Sequence, residues 1–175
     1  VTASTLVLGL GNVLLRDDGI GVWVADRLAR RFELPGDVTV LEGGTLGLDL
    51  LPRLDGIERL LLIDAVALGR APGTIVRLEG DEVPAALGVK ISPHQIGLAD
   101  LLATARLMGR DPPHLVLWGM KPGPLEPGTG FSPRVARALP RLLGSVLDEL
   151  GRWGVSARPV DGHRVGPGWW EAAQG

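Results

Sequence analysis

The apolar residues of this chain come in short runs of strand length, each followed by a Gly- or Pro-rich turn and then by apolar positions at helical spacing. Residues 5–10 begin the series. Ile20, Val24, Leu28 and Phe32 then recur at near-helical spacing, and residues 38–41 resume a strand after the Pro35-Gly36-Asp37 turn. A short helix follows, with Leu46, Leu50, Leu51 and Leu54 on its apolar side. Residues 60–66 are apolar except for Asp64, the signature of a central strand covered on both faces. Residues 75–78 predict an edge strand, 79–93 a long loop, 94–108 a helix, 114–120 a buried strand and 121–130 a Pro/Gly loop. Ser132 and Pro133 suit the N-cap and first turn of a last helix running towards Trp153, which Pro140 is expected to kink or split. Strand alternating with helix predicts a three-layer α/β sandwich, with a mostly parallel central sheet of about five strands and helices on both faces.

With 175 residues the chain suits one domain, expected over residues 1–158. The Gly-rich, aperiodic remainder, 159–175, is expected to be a flexible tail despite Trp169 and Trp170. A domain of this size buries roughly 70 % of its unfolded surface and needs neither disulfide nor structural metal to fold. The net charge is −2 with Lys and Arg interspersed, which argues against a nucleic-acid partner. Cysteine is absent, excluding a thiol protease, an iron–sulfur centre and a Cys-ligated zinc. Any metal must therefore meet carboxylate, imidazole, backbone or water. The apolar runs fall far short of a membrane span and no secretory pattern opens the chain, so a cytoplasmic location is expected.

The chemistry concentrates where strands end. Gly9-Leu10-Gly11 supplies two glycines of a dinucleotide fingerprint, but Leu14 occupies the third position. Asp17 and Asp18 then stand where a phosphate would bind, and they repel one. Either aspartate can instead cap the following helix. Glu42 closes the second strand, where it either holds the Gly43-Gly44-Thr45 turn or serves function. Asp64 interrupts an apolar run, and a buried carboxylate needs a cation, a donor or a proton. His94 opens a helix whose dipole disfavours the imidazolium, leaving the neutral ring that binds metals. His114 and His163 are assigned to a strand edge and the tail. No zinc-protease helix or nucleophile elbow is present, and Pro93 between Ser92 and His94 suits a loop that aims the imidazole.

The ordered set Gly9-x-Gly11-Asn12-x-Leu14-x-x-Asp17-Asp18-Gly19-x-Gly21, Glu42-Gly43-Gly44-Thr45, Asp64-Ala65 and Ser92-Pro93-His94-Gln95, with the loop Leu125-Glu126-Pro127-Gly128, resembles the nickel–iron hydrogenase maturation endopeptidases. The resemblance spans residues 5–158. It implies an endopeptidase that removes the C-terminal extension of a hydrogenase large-subunit precursor after nickel insertion. It further implies that Asp18, Asp64 and His94 are the catalytic, nickel-sensing ligands. Nickel would arrive with the precursor, which is the expected partner of a monomeric enzyme. Asp18 stands where some relatives carry Glu, and Glu42 where Asp is common. Glu42, Gly43, Gly44 and Thr45 would support the substrate peptide. The competing readings are a non-enzymatic nickel chaperone using the same ligands, a peptidyl-tRNA hydrolase-like enzyme suggested by Gly9-Leu10-Gly11-Asn12, and a mononucleotide-binding module.

Overall fold

In the computed structural model, which describes residues 4–87 and 94–160, the chain begins with β1 (Thr5–Leu10), a 3-10 turn (Arg16–Gly19) and α1 (Ile20–Arg31). It continues through β2 (Phe32–Glu33), β3 (Val38–Gly44), a 3-10 helix (Gly47–Leu54), β4 (Arg59–Ala65) and β5 (Ile75–Glu79). The remaining elements are α2 (Glu82–Leu87), α3 (His94–Leu107), β6 (His114–Met120), α4 (Pro133–Arg152) and β7 (Arg158–Pro159). Five strands form one sheet in the order β3-β1-β4-β6-β5. All neighbours pair in parallel except β5, which lies antiparallel to β6 at the edge.

Strand alternation divides the core in two. Val7, Leu61, Ile63 and Val116 face α1 and α4, where Val24, Leu28, Leu142 and Val146 cover them. Leu6, Leu8, Leu60 and Leu62 face the other way and pack against α3, α2 and the 3-10 helix through Leu98, Leu101, Leu87 and Leu54. Residues such as Leu61 and Leu62 are wholly buried, and each such side chain contributes roughly 1.5–3 kcal/mol. The apolar 60–66 run is therefore central because its two parities feed two cores.

β1 leads through α1 to β3 on one side of it, and the chain then returns across β1 to β4 on the other side. The sheet order thus reverses between β1 and β4, which opens a crevice beyond their carboxyl ends. Asp18 follows the first of these strands and Asp64 lies at the end of the second.

Four local expectations change. Within 79–93, residues 82–87 form α2: Val83 and Leu87 are buried one turn apart, and Pro84 sits in the first turn, where no N–H is needed. Pro140 neither ends nor splits α4, which runs unbroken over Pro133–Arg152. Pro140 lies on the exposed side, where the carbonyl it leaves without a partner opens to water. Neither Asp17 nor Asp18 caps α1; Gly19 does, with no side-chain bond. Finally, Phe32–Glu33 pairs with Arg158–Pro159, and the Val160 N–H donates to the Arg31 carbonyl, so regular pairing continues into the segment expected as tail. Residues 161–175, with His163, Trp169 and Trp170, lie outside the described residues, as do Ser92 and Pro93.

Candidate active site

Glycines bring the crevice walls together. A Cβ on Gly9 would stand 2.2 Å from the Gly21 carbonyl oxygen, and one on Gly21 would stand 2.0 Å from that of Ile63. Only hydrogen at both positions lets α1 lie against β1 and β4. Gly11 adopts φ +124°, and a Cβ there would meet the Asp18 carbonyl oxygen at 1.8 Å. The glycine-rich opening thus serves close backbone packing, and it delivers Asp18 to the end of β4. Arg16, next in the loop, holds a left-handed φ of 47°, a conformation that costs a non-glycine residue roughly 1 kcal/mol or more. The 125–128 loop braces it, because Gly128 donates to Leu14 O and accepts from the Arg16 N–H.

Asp18, Asp64 and His94 meet in the crevice. The His94 imidazole lies between the carboxylates, with Nε2 3.1 Å from both Asp64 oxygens and Nδ1 3.5 Å from Asp18 Oδ2. Asp18 and Asp64 are fully buried, and the His94 side chain is 1 % exposed. Fixed donors aim both carboxylates. The Asn12 N–H donates to Asp18 Oδ2 at 3.0 Å, and the Ala65 N–H to Asp64 Oδ1 at 2.8 Å. Gln95 Nε2 donates to Asp64 Oδ2 and, at 2.7 Å, to the Ala65 carbonyl. Asn12 and Gln95 were legible only as parts of the motif; their roles depend on geometry.

Electrostatics reverse one expectation. Burial disfavours the imidazolium more than any other single influence, but hydrogen bonding and charge from Asp18 and Asp64 together outweigh it and raise the His94 pKa to about 10. The ring is therefore protonated without metal, since the two carboxylates dominate the helix dipole. Burial raises the Asp64 pKa, with Asp18 adding to the rise while His94 and Gln95 oppose it.

The donor atoms face one another as a carboxylate–imidazole–carboxylate relay. Among the described residues no three His, Cys, Asp or Glu side chains form a ready-made metal cage. Two carboxylates and an imidazole still suit a borderline divalent ion such as nickel, provided the His94 proton leaves as the ion arrives.

The remaining candidates separate from this centre. Asp17 turns away and clamps two distant segments. It accepts from the Gly123 N–H at 2.8 Å, and from the Ser132 N–H and Oγ at 2.7 Å each. Those partners lie 106 and 115 residues along the chain, so no local sequence signal announces them. Glu42 shares the strand parity of Val38 and Val40, which face α1 and α4, and therefore lies on the sheet face opposite Asp64. It is exposed; desolvation and Asp26 raise its pKa while Arg30 lowers it. The turn at 43–45 is held by backbone bonds instead, Gly11 N–H to Gly44 O and Leu46 N–H to Gly43 O. Gly43 packs against Leu10 and Leu50, and Thr45 is exposed. Exposed His114 opens β6 at the other end of the sheet. A cavity of about 400 Å³ near that end, lined by residues including Pro84, Leu102 and Leu115, contains none of the three converging residues.

Comparison with known proteins identifies the family to which the chain is similar. The profile of the family described as "Hydrogenase maturation protease" matches residues 22–149. The hydrogenase 2 maturation protease of Escherichia coli K12 is 44 % identical over 155 residues, covering 88 % of this chain and 94 % of that protein. The hydrogenase expression/formation protein HupD of Rhodobacter capsulatus is 45 % identical over 152 residues, covering 86 % and 72 %. Among solved structures, the hydrogenase maturating endopeptidase HybD from E. coli superposes with a TM-score of 0.85 at 44 % identity, over 89 % of this chain and 97 % of that one. The nickel–iron hydrogenase maturation protease HybD from Thermococcus kodakarensis gives 0.67 at 28 %, over 84 % and 98 %. From the crevice glycines to these matches, the findings agree that this chain belongs to the hydrogenase maturation protease family and is a peptidase.

Proposed function

We propose that this endopeptidase removes the C-terminal extension of a nickel–iron hydrogenase large-subunit precursor after nickel insertion, and that Asp18, Asp64 and His94 engage that nickel. The observation that carries the reading is the buried Asp18–His94–Asp64 relay at the switch point of the sheet. It concentrates three nickel-compatible donors, and the His94 contacts that bridge the two carboxylates involve an exchangeable proton. A nickel ion that belongs to the substrate replaces this proton and leaves the enzyme when the product does. Such an ion orients the scissile peptide, polarises its carbonyl or activates water.

The protein supplies position. Asn12, Ala65 and Gln95 fix the carboxylates, and the β1, β3 and 125–128 loops are tied to one another by backbone bonds around the crevice. The 43–45 and 125–128 loops are where the precursor peptide seats. No helix among the described residues is long and apolar enough to cross a membrane, and the reaction is assigned to the cytoplasm, with the enzyme acting as a monomer.

The test is incubation with purified precursor, either nickel-loaded or metal-free, followed by intact mass. Loss of the extension from the loaded form alone is expected. Efficient cleavage of metal-free precursor in nickel-free buffer contradicts metal reading, and nickel transfer without any mass change favours the chaperone.

A further inference from the structure

Charge is segregated around the crevice in a way the relay does not use. Segments 66–74 and 121–141 carry Arg70, Lys121, Arg134, Arg137 and Arg141 against a single acid, Glu126, although the whole chain is at −2. Glu126 is engaged by Arg16. Arg134, Arg137 and Arg141 follow i, i+3, i+7 spacing and so share one face of α4. All three are exposed, and none has an ion-pair partner among the described residues.

The stripe lines a groove. Arg134 and Arg137 border two shallow cavities that meet at Pro72, one extending to Gly73 and Arg141, the other to Gly123 and Ser132. Gly123 and Ser132 are the residues whose N–H groups hold Asp17, the immediate neighbour of Asp18. The groove therefore starts at the segments that Asp17 clamps, one residue along the chain from Asp18, and runs from there along α4. Its near end also receives the positive end of that helix dipole.

Resting on the precursor reading above, we infer that the Arg134–Arg137–Arg141 groove docks an acidic, extended segment of the protein substrate while the crevice engages the metal. Seven residues of helix advance about 10 Å, which matches three to four residues of extended peptide. The neighbouring Asp17, Asp18 and Asp64 repel a continuous polyphosphate backbone, so carboxylates spaced along a peptide fit better than nucleic acid. Exposed complementary charges of this kind act on encounter and on affinity more than on the chemical step.

The experiment uses a fluorescein-labelled octapeptide rich in Asp and Glu, its Asn/Gln counterpart, and the variant Arg134→Gln/Arg137→Gln/Arg141→Gln, with Arg110→Gln as control. Arg110 is exposed near the opposite end of the sheet. Anisotropy at low salt is expected to show binding of the acidic peptide alone, weakened about tenfold in the triple variant and unchanged in the control. With nickel-loaded precursor the triple variant should raise KM by about tenfold and leave kcat within about twofold. Peptide binding needs no cleavage, so failure of the metal reading leaves this arm intact. Equal affinity of wild type and triple variant for the acidic peptide overturns the inference. So does tighter wild-type binding of a single-stranded oligonucleotide than of the peptide.

Discussion

Glu149 and Asp64 both bury a carboxylate against the sheet, on opposite faces, and the groups that neutralise them differ in kind. Glu149, 1 % exposed, accepts from Arg77 Nε and Nη2 at 2.7 and 2.9 Å, from Arg152 Nη1 at 2.9 Å and from Trp118 Nε1 at 3.2 Å. Those guanidinium groups keep their charge at any ordinary pH. Asp64 has instead an imidazolium, a side-chain amide and one backbone N–H. Its cation can shed a proton and become a metal ligand. Permanent charge on the α4 side ties α4 to β5 and β6. Exchangeable charge on the α3 side is what the proposed engagement of nickel requires. Burial alone does not distinguish the two carboxylates, but the exchangeability of their partners does.

The largest effect should come from the packing that only one of these sites requires. Gly21→Ala would drive a methyl into the Ile63 and Leu10 carbonyl oxygens at 2.0 and 2.5 Å. Both atoms are backbone, so a cost of at least about 3 kcal/mol is expected. Chemical denaturation should show this loss, and any folded fraction should process precursor poorly because Asp18 moves with α1. A neutral outcome would mean the crevice walls are not held by these glycines.

Glu149→Ala should destabilise by roughly 2–3 kcal/mol, below the full value for a buried pair because Arg77 is 31 % exposed and partly screened. Precursor processing per folded molecule should remain at the wild-type rate. The hydrogen bonds of Arg77 hold the Glu149 pKa below its ordinary value of 4.5, against burial. Its stabilisation is therefore full above that value and is lost as pH falls through the depressed folded-state value. The stability gap between wild type and variant should shrink as the pH falls below 4.5 towards the depressed folded-state value.

His94 behaves oppositely. Its pKa is raised from 6.5 to about 10, so its stabilisation is complete below 6.5 and fades as pH climbs towards 10. Urea melts of wild type and His94→Gln should converge in alkali and diverge near neutrality. A difference that stays constant from pH 6 to 10 would show that the relay holds no titrating proton.

Much of this molecule could be read from its sequence. The central strand was visible because residues 60–66 are apolar apart from Asp64, and the ordered motifs pointed to Asp18, Asp64 and His94 before any geometry. What stayed hidden depends on distance or parity. Asp17 finds its partners more than a hundred residues away, and Glu149 finds Arg77 across 72 residues. Glu42 falls in a glycine-rich turn near the crevice, yet one step of strand alternation places it on the other face. Residues 82–87 give no helical signal in the sequence, because six residues with a proline carry too little periodicity to mark a helix.

The smallest effect follows from that last parity. Glu42→Gln should change stability by no more than about 0.5 kcal/mol and leave processing within about twofold, as measured by initial rates on nickel-loaded precursor. A loss as deep as that of a relay variant would return Glu42 to the active site.

The relay itself is tested most directly by an intact-mass time course of nickel-loaded precursor with His94→Gln. Gln retains a donor between the carboxylates and spares the protein the cavity that Ala would leave. The variant should melt as one cooperative unit and leave the extension uncleaved over many wild-type half-lives. Removal of the extension at the wild-type rate would show that the buried imidazole is structural, and that nickel is read elsewhere.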